Sequence, residues 1–331
     1  MPGDVILPDT RAEEWPGIRA AILRRITDTL GSPGAGCPLP AGEFSEIERC
    51  EKHGLVHVRF RYHVIGEEYN YGTLVLPSGG QPERPVPCIL ALHGTNGKEG
   101  KDGVLDPENK PTCAYAVELA RRGYVAAAAD QYGFGESVPD VRREAYTAAF
   151  YEKYPDWSID GRRLLGHTRL LDALSLLPFI DGGAFGAIGN STGGRGTVFL
   201  AALDERIKAA VGSTAVSPNA TNVFRYLAHD YGLCPRLHDE IKRSGCPPWD
   251  YHEMLALIAP RAFLSLEPFN DAEGCNPDVF PVMQCLYAAA RVWRLLGSDE
   301  RIAWYVHGDG HRTIGDVREF AYRWFDRFLK G

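Results

Sequence analysis

The sequence predicts an α/β protein whose mostly parallel, eight-stranded sheet is flanked by helices. Two observations carry that expectation. Short apolar runs alternate with segments of helical periodicity from residue 88 onward. Such runs read as strands buried on both faces, and the helices between them supply parallel crossovers. The chain has 331 residues, 44% hydrophobic and 24% charged, which suits one large globular domain.

The elements follow in order. Residues 15–30 place Ile18, Ala21, Ile22, Ile26 and Leu30 at helical spacing, and the Gly/Pro-rich stretch 31–42 then breaks the chain. We therefore read residues 1–54 as an N-terminal helical extension and 55–331 as the main domain. Residues 55–65 alternate and 71–76 follow a polar turn, so they read as an antiparallel pair. Strands are expected at 88–94, 124–130, 185–189, 208–213, 262–267 and 301–307. Helices are expected at 112–122 and 163–177. A last helix carries Val317, Phe320, Ala321, Trp324, Phe325 and Phe328 as a core stripe. Two segments, 136–162 and 214–255, exceed simple connections and carry aromatics. We read them as cap segments over a pocket, with Trp157 and Tyr231 among its walls.

A net charge of −7 argues against nucleic acid or an anionic membrane as partner. No apolar run approaches the ~20 residues of a membrane span. The first residues lack the basic-then-apolar pattern of a secretory signal, so a cytoplasmic location is expected. The 8 cysteines include no C-x-x-C pair and are expected as free thiols. Ligand spacing for zinc is absent; neither a metal nor an organic cofactor is expected. Oligomeric state is left open.

Residues 185–194 read FGAIGNSTGG. The apolar run, the G-x-S-x-G spacing at Gly189–Gly193 and the apolar segment 197–202 fit a serine on a sharp strand-to-helix turn. Residues two before and two after that serine crowd the turn, so both must be very small. This makes Ser191 the candidate nucleophile. It needs a base, and the base needs an orienting acid. His307 and His311 both follow the last strand, and the glycines flanking His311 favour the latter. Glu267, Asp271 and Glu273 compete for the acid, and the loop position of Asp271 favours it over Glu267 at the strand end. Thr192 and Thr95, with Asn96 as the next choice, are the candidate backbone donors to an oxyanion. His93 reads as a loop anchor.

These motifs resemble the α/β-hydrolase superfamily, and more narrowly the dienelactone-hydrolase/acetyl-xylan-esterase-like group. The segments RRGYVAAAADQYGFGES at 121–137, GRRLLGHTRLLDAL at 161–174 and FGAIGNSTGGRGTVFLAALDERIKAAV at 185–211 carry the likeness. So do IAPRAFLSLEPFND at 258–271 and VHGDGHR at 306–312. The resemblance implies Asp271 as acid and His311 as base. It departs at Asn190, where a histidine is common, and at Pro268, where a glycine is common. A serine replaces the cysteine of true dienelactone hydrolases. The G-C-S-R-x-G-K elbow of glucuronoyl esterases is absent.

The expectation is a serine hydrolase that cleaves a carboxylic ester of a small molecule through an acyl-enzyme. A peptidase or amidase, an acyltransferase and a non-catalytic binding protein on the same scaffold stand as alternatives. The glycines at 189–194 also suggest nucleotide binding, but no acidic residue falls suitably on a following strand.

Overall fold

The computed structural model describes residues 4–34, 36–37, 39–108, 110, 113–221, 231–271 and 278–330. Its strands are β1 (Ser45–Lys52), β2 (Leu55–Ile65), β3 (Glu68–Val75), β4 (Val86–Leu92) and β5 (Val125–Ala129). Then come β6 (Ile180–Asn190), β7 (Ile207–Ser213), β8 (Ala262–Pro268) and β9 (Ile302–His307). They form one sheet in the order β1-β2-β3-β5-β4-β6-β7-β8-β9. The pairs β1–β2, β2–β3 and β3–β5 are antiparallel. From β5 across to β9 every pair is parallel.

The described sheet thus has nine strands rather than eight. The extra one, β1, falls in the extension expected before residue 55. Its sequence, SEIERCEK, is almost wholly exposed, so no apolar face marks it. Charged side chains suit an edge strand, because they discourage pairing with another chain.

Nine α-helices occur among the described residues. They are α1 (Trp15–Leu30), α2 (Tyr115–Arg121), α3 (Arg143–Lys153), α4 (Ile159–Leu174) and α5 (Thr192–Leu203). The rest are α6 (Pro235–Ser244), α7 (Tyr251–Ala256), α8 (Phe280–Leu295) and α9 (Gly315–Leu329). The sheet is buried on both faces. On β4, Cys88, Leu90 and Leu92 join a core with α1, α4, α5, α7 and α8. Ile89 and Ala91 face the other way, toward α2 and α9. The run of alanines in β5 is fully buried, and small side chains fit between covered faces. On α9, Val317, Ala321, Trp324 and Phe325 are buried as expected, but Phe320 is exposed and meets Tyr305.

The chain runs from β4 to β5 on one side, then returns to β6 on the other side of β4. That reversal opens a crevice beyond the carboxyl ends of β4 and β6, where such sheets bind ligands. No described helix is long and apolar enough to cross a membrane.

Two histidines are sealed inside this frame. Burial lowers His93 from 6.5 to about 4, and His167 from 6.5 to about 3. Both are neutral when folded and take a proton more readily once unfolded. Their contribution is present above pH 6.5 and is lost as pH falls toward those folded values. The urea midpoint should therefore fall between pH 6.5 and 4, and His167→Gln should make that fall shallower.

Candidate active site

β6 ends at Asn190, α5 begins at Thr192, and Ser191 makes the corner with φ 59° and ψ −121°. A side chain held at positive φ costs on the order of 1–3 kcal/mol, so neighbours must enforce it. The Ser191 N–H donates to the Ser213 carbonyl at 3.0 Å and to Thr214 Oγ1 at 3.1 Å. A Cβ at Gly189 would lie 2.4 Å from the Gly193 carbonyl, and one at Gly193 would lie 2.1 Å from Leu92 O. One at Gly194 would lie 2.5 Å from Ser213 O. Only glycine lets the strands, the turn and the helix come this close.

His311 stands in the loop between β9 and α9, and Asp271 in the loop after β8. The structure brings them together: His311 Nδ1 lies 3.1 Å from both Asp271 carboxylate oxygens. A carboxylate accepts, so the Nδ1 proton sits between them and Nε2 keeps its lone pair. Asp271 is buried and the imidazole nearly so. Ser191 and His311 line one cleft of roughly 280 Å³, with Thr95, Asn96, Glu99, Lys110, Tyr115 and Asn190 also on its walls.

Thr95 and Thr192 meet across this cleft, with their hydroxyls 2.7 Å apart. Thr192 opens α5, so its N–H has no partner within the helix. The Thr95 loop is pinned from below. Buried Asp130 accepts from Lys101 N at 2.7 Å, from Lys101 Nζ at 3.2 Å and from Glu136 N at 3.0 Å. Lys101 Nζ also reaches Glu136 at 2.6 Å. His93 completes the anchor. Its Nε2 accepts from Gln131 N at 3.0 Å, so the proton is on Nδ1, which donates to the Gly94 carbonyl at 2.7 Å. His93 thus has no lone pair to spare for proton transfer.

Glu267, the alternative acid, ends β8 inside the protein. It accepts from Ser265 Oγ at 2.8 Å, and burial pushes its carboxyl up to about 8. His307 is also buried, and its Nδ1 accepts from the Asp309 N–H. Neither lines the Ser191 cleft.

Trp157 is elsewhere too. It packs with Phe150 and Tyr154, bridges to Gly31 and lines a separate cavity with Leu30 and Leu164. Its rings bury against α1 and α4, so the expectation that it walls the Ser191 pocket is corrected. Tyr231 begins a single 3-10 turn, and its side chain lies outside the described residues, as do Phe224, Tyr226 and Glu273. Trp249, from the same segment, is core.

No family model matches the chain. It is 28% identical over 268 residues to the Bacillus subtilis protein "Putative hydrolase YtaP", covering 75% of this chain and 80% of that one. It is 24% identical to the 4-O-methyl-glucuronoyl methylesterase of Hypocrea jecorina, over 70% of this chain and 49% of the relative. The chain thus spans about half of that methylesterase. The glucuronoyl esterase structure from Solibacter usitatus superposes with a TM-score of 0.74 at 15% identity, covering 98% of this chain and 97% of that one. The chain has the α/β-hydrolase fold. The likeness to glucuronoyl esterases comes without their elbow, since Asn190 and Thr192 flank the serine here.

Several residues around the site were not evident from spacing. Asn190, Ser213, Thr214 and Thr313 form a buried hydroxyl–amide cluster beneath Ser191. Asn270 holds the His311 loop, donating to Gly308 O at 2.8 Å and accepting from Gly310 N at 3.0 Å. Both depend on contacts between distant loops; the unusual Asn190 was their one visible sign. Among the described residues one group has metal-ligand chemistry: Asp250, His252 and Cys285, all buried. Asp250 caps α7 there, accepting from Asn219 N, Ala220 N and Tyr251 N. The described cysteines are all free thiols.

The two carboxylates can be separated by experiment. Folded Glu267 holds its proton up to about pH 8, whereas the unfolded group loses it near 4.5. Stability therefore falls as pH rises through that window. Glu267→Gln should remove this loss in urea titrations and leave turnover near wild type. Asp271→Asn should lower kcat by roughly 10⁴, as loss of the orienting acid does elsewhere.

Proposed function

We propose that this enzyme hydrolyses carboxylic esters by nucleophilic catalysis at Ser191, with His311 as base and Asp271 as its orienting acid. The observation that carries the reading is the Nδ1 contact of 3.1 Å to both Asp271 oxygens, made beside the cleft that holds Ser191. Asp271 fixes the tautomer, so His311 Nε2 accepts the Ser191 proton as Oγ attacks the ester carbonyl. The carbonyl π bond opens to an oxyanion, which the Thr192 and Thr95 N–H groups receive. The C–O bond to the alcohol then breaks, and His311 returns its proton to the leaving alkoxide. Water repeats the sequence on the acyl-enzyme: His311 takes its proton, the hydroxyl oxygen bonds to the acyl carbon, and Ser191 leaves with the proton.

The strained turn supports this reading, because it projects the hydroxyl where carbonyl attack needs it. The neighbours are esterases by name, and that favours an ester over a peptide substrate. We place the substrate among small-molecule esters, and esters of sugar acids are the first class to test.

Ser191→Ala should lose about 10⁴–10⁶ in kcat on a p-nitrophenyl ester while its unfolding transition stays close to wild type. A fluorophosphonate should label the wild type and not the variant. Wild-type turnover by the variant would remove Ser191 from the mechanism.

A further inference from the structure

The His311 loop is rich in glycine. Gly308 and Gly310 precede His311, Gly315 follows it, and Gly310 and Gly315 adopt φ of 66° and 51°. Asn270 and Asp271 hold this loop to its neighbour after β8, which orients the imidazole. That does not set its position relative to Ser191, which rides on a different strand.

A second set of contacts supplies that link. Thr313, two residues beyond His311, is buried, and its Oγ1 lies 2.6 Å from Ser213 Oγ. Ser213 Oγ donates to Asn190 Oδ1 at 2.9 Å. Thr214 Oγ1 reaches the same oxygen at 2.8 Å and accepts the Ser191 N–H at 3.1 Å. Thr313 Oγ1 approaches Asn190 Oδ1 directly at 3.4 Å. Thr214 itself sits at φ 45°, a conformation a threonine adopts only when its surroundings impose it. The cluster thus joins three chain segments: the residue before the nucleophile, the end of β7 and the loop of the base.

We propose that Thr313 and Ser213 are positioning residues that lock the His311 loop onto the strand carrying Ser191, with Asn190 Oδ1 as the shared acceptor. This rests on the reading of Ser191 and His311 as nucleophile and base. Each group is buried, so a lost hydroxyl removes a contact that solvent cannot replace. The loop then relaxes about its glycines, and the imidazole drifts from Ser191 while keeping Asp271. A misplacement of about 1 Å at a reacting group can cost on the order of a hundredfold in rate.

The test compares Thr313→Val, which keeps shape and removes the hydroxyl, with Thr313→Ser, which keeps the hydroxyl. Measurements are kcat and KM on p-nitrophenyl acetate, the rate of fluorophosphonate labelling, and urea unfolding. Thr313→Val should lower kcat and the labelling rate together by about 10- to 100-fold with KM little changed. Thr313→Ser should restore both to within about threefold of wild type. Ser213→Ala breaks the same contact from the other side and carries the test if Thr313→Val does not fold. A Thr313→Val enzyme that is less stable but turns over like wild type would overturn the proposal. So would a Thr313→Ser enzyme as impaired as Thr313→Val. A wild type that the fluorophosphonate does not label would instead overturn the nucleophile assignment, and this inference with it.

Discussion

A Cβ on Gly193 would sit 2.1 Å from the carbonyl oxygen of Leu92, and the site is arranged around that near-contact. It draws the start of α5 against the end of β4, which brings Thr192 beside Thr95. It also forces the chain to turn within one residue, so Ser191 takes φ 59°. The strain is held by two acceptors on the Ser191 N–H, both from the end of β7. One backbone packing constraint thus places Thr95, Thr192 and Ser191 together.

Around this corner the protein fixes three loops from three other strands. Each loop has its own polar anchor. Asp130 with Lys101 pins the segment after β4, Asn270 ties the segment after β8 to that after β9, and Thr313 ties the latter to β7. The anchors have a common logic. Backbone polar groups in a crevice must find partners, and side chains supply them where no strand neighbour exists. His93 is such a group. It lies next to the cleft, yet its two ring nitrogens are both engaged with backbone, so it holds the loop and moves no proton.

Much of this was legible in the residues. The parallel strands announced themselves because burial on both faces demands unbroken apolar runs, as in Val125–Ala129. The elbow was legible because its steric demands fall on fixed spacings. The pairing of Asp271 with His311 followed from chain order and resemblance. What escaped has physical reasons. β1 carries charge where an edge strand meets water, so periodicity could not show it. Aromatics in the long segments suggested pocket walls, but Trp157 and Trp249 are buried in the core, and composition alone does not tell a wall from a core. The Asn190 cluster joins residues far apart in sequence, so spacing carried no sign of it.

The central claim is that Ser191 forms a covalent acyl-enzyme. Rapid-quench mass spectrometry of the intact wild-type enzyme mixed with p-nitrophenyl acetate measures that species directly, and peptide mapping locates it. The account predicts an acetyl adduct that appears before steady state, maps to Ser191 and decays as acetate is released. Ester turnover with an adduct mapped to another residue would contradict it.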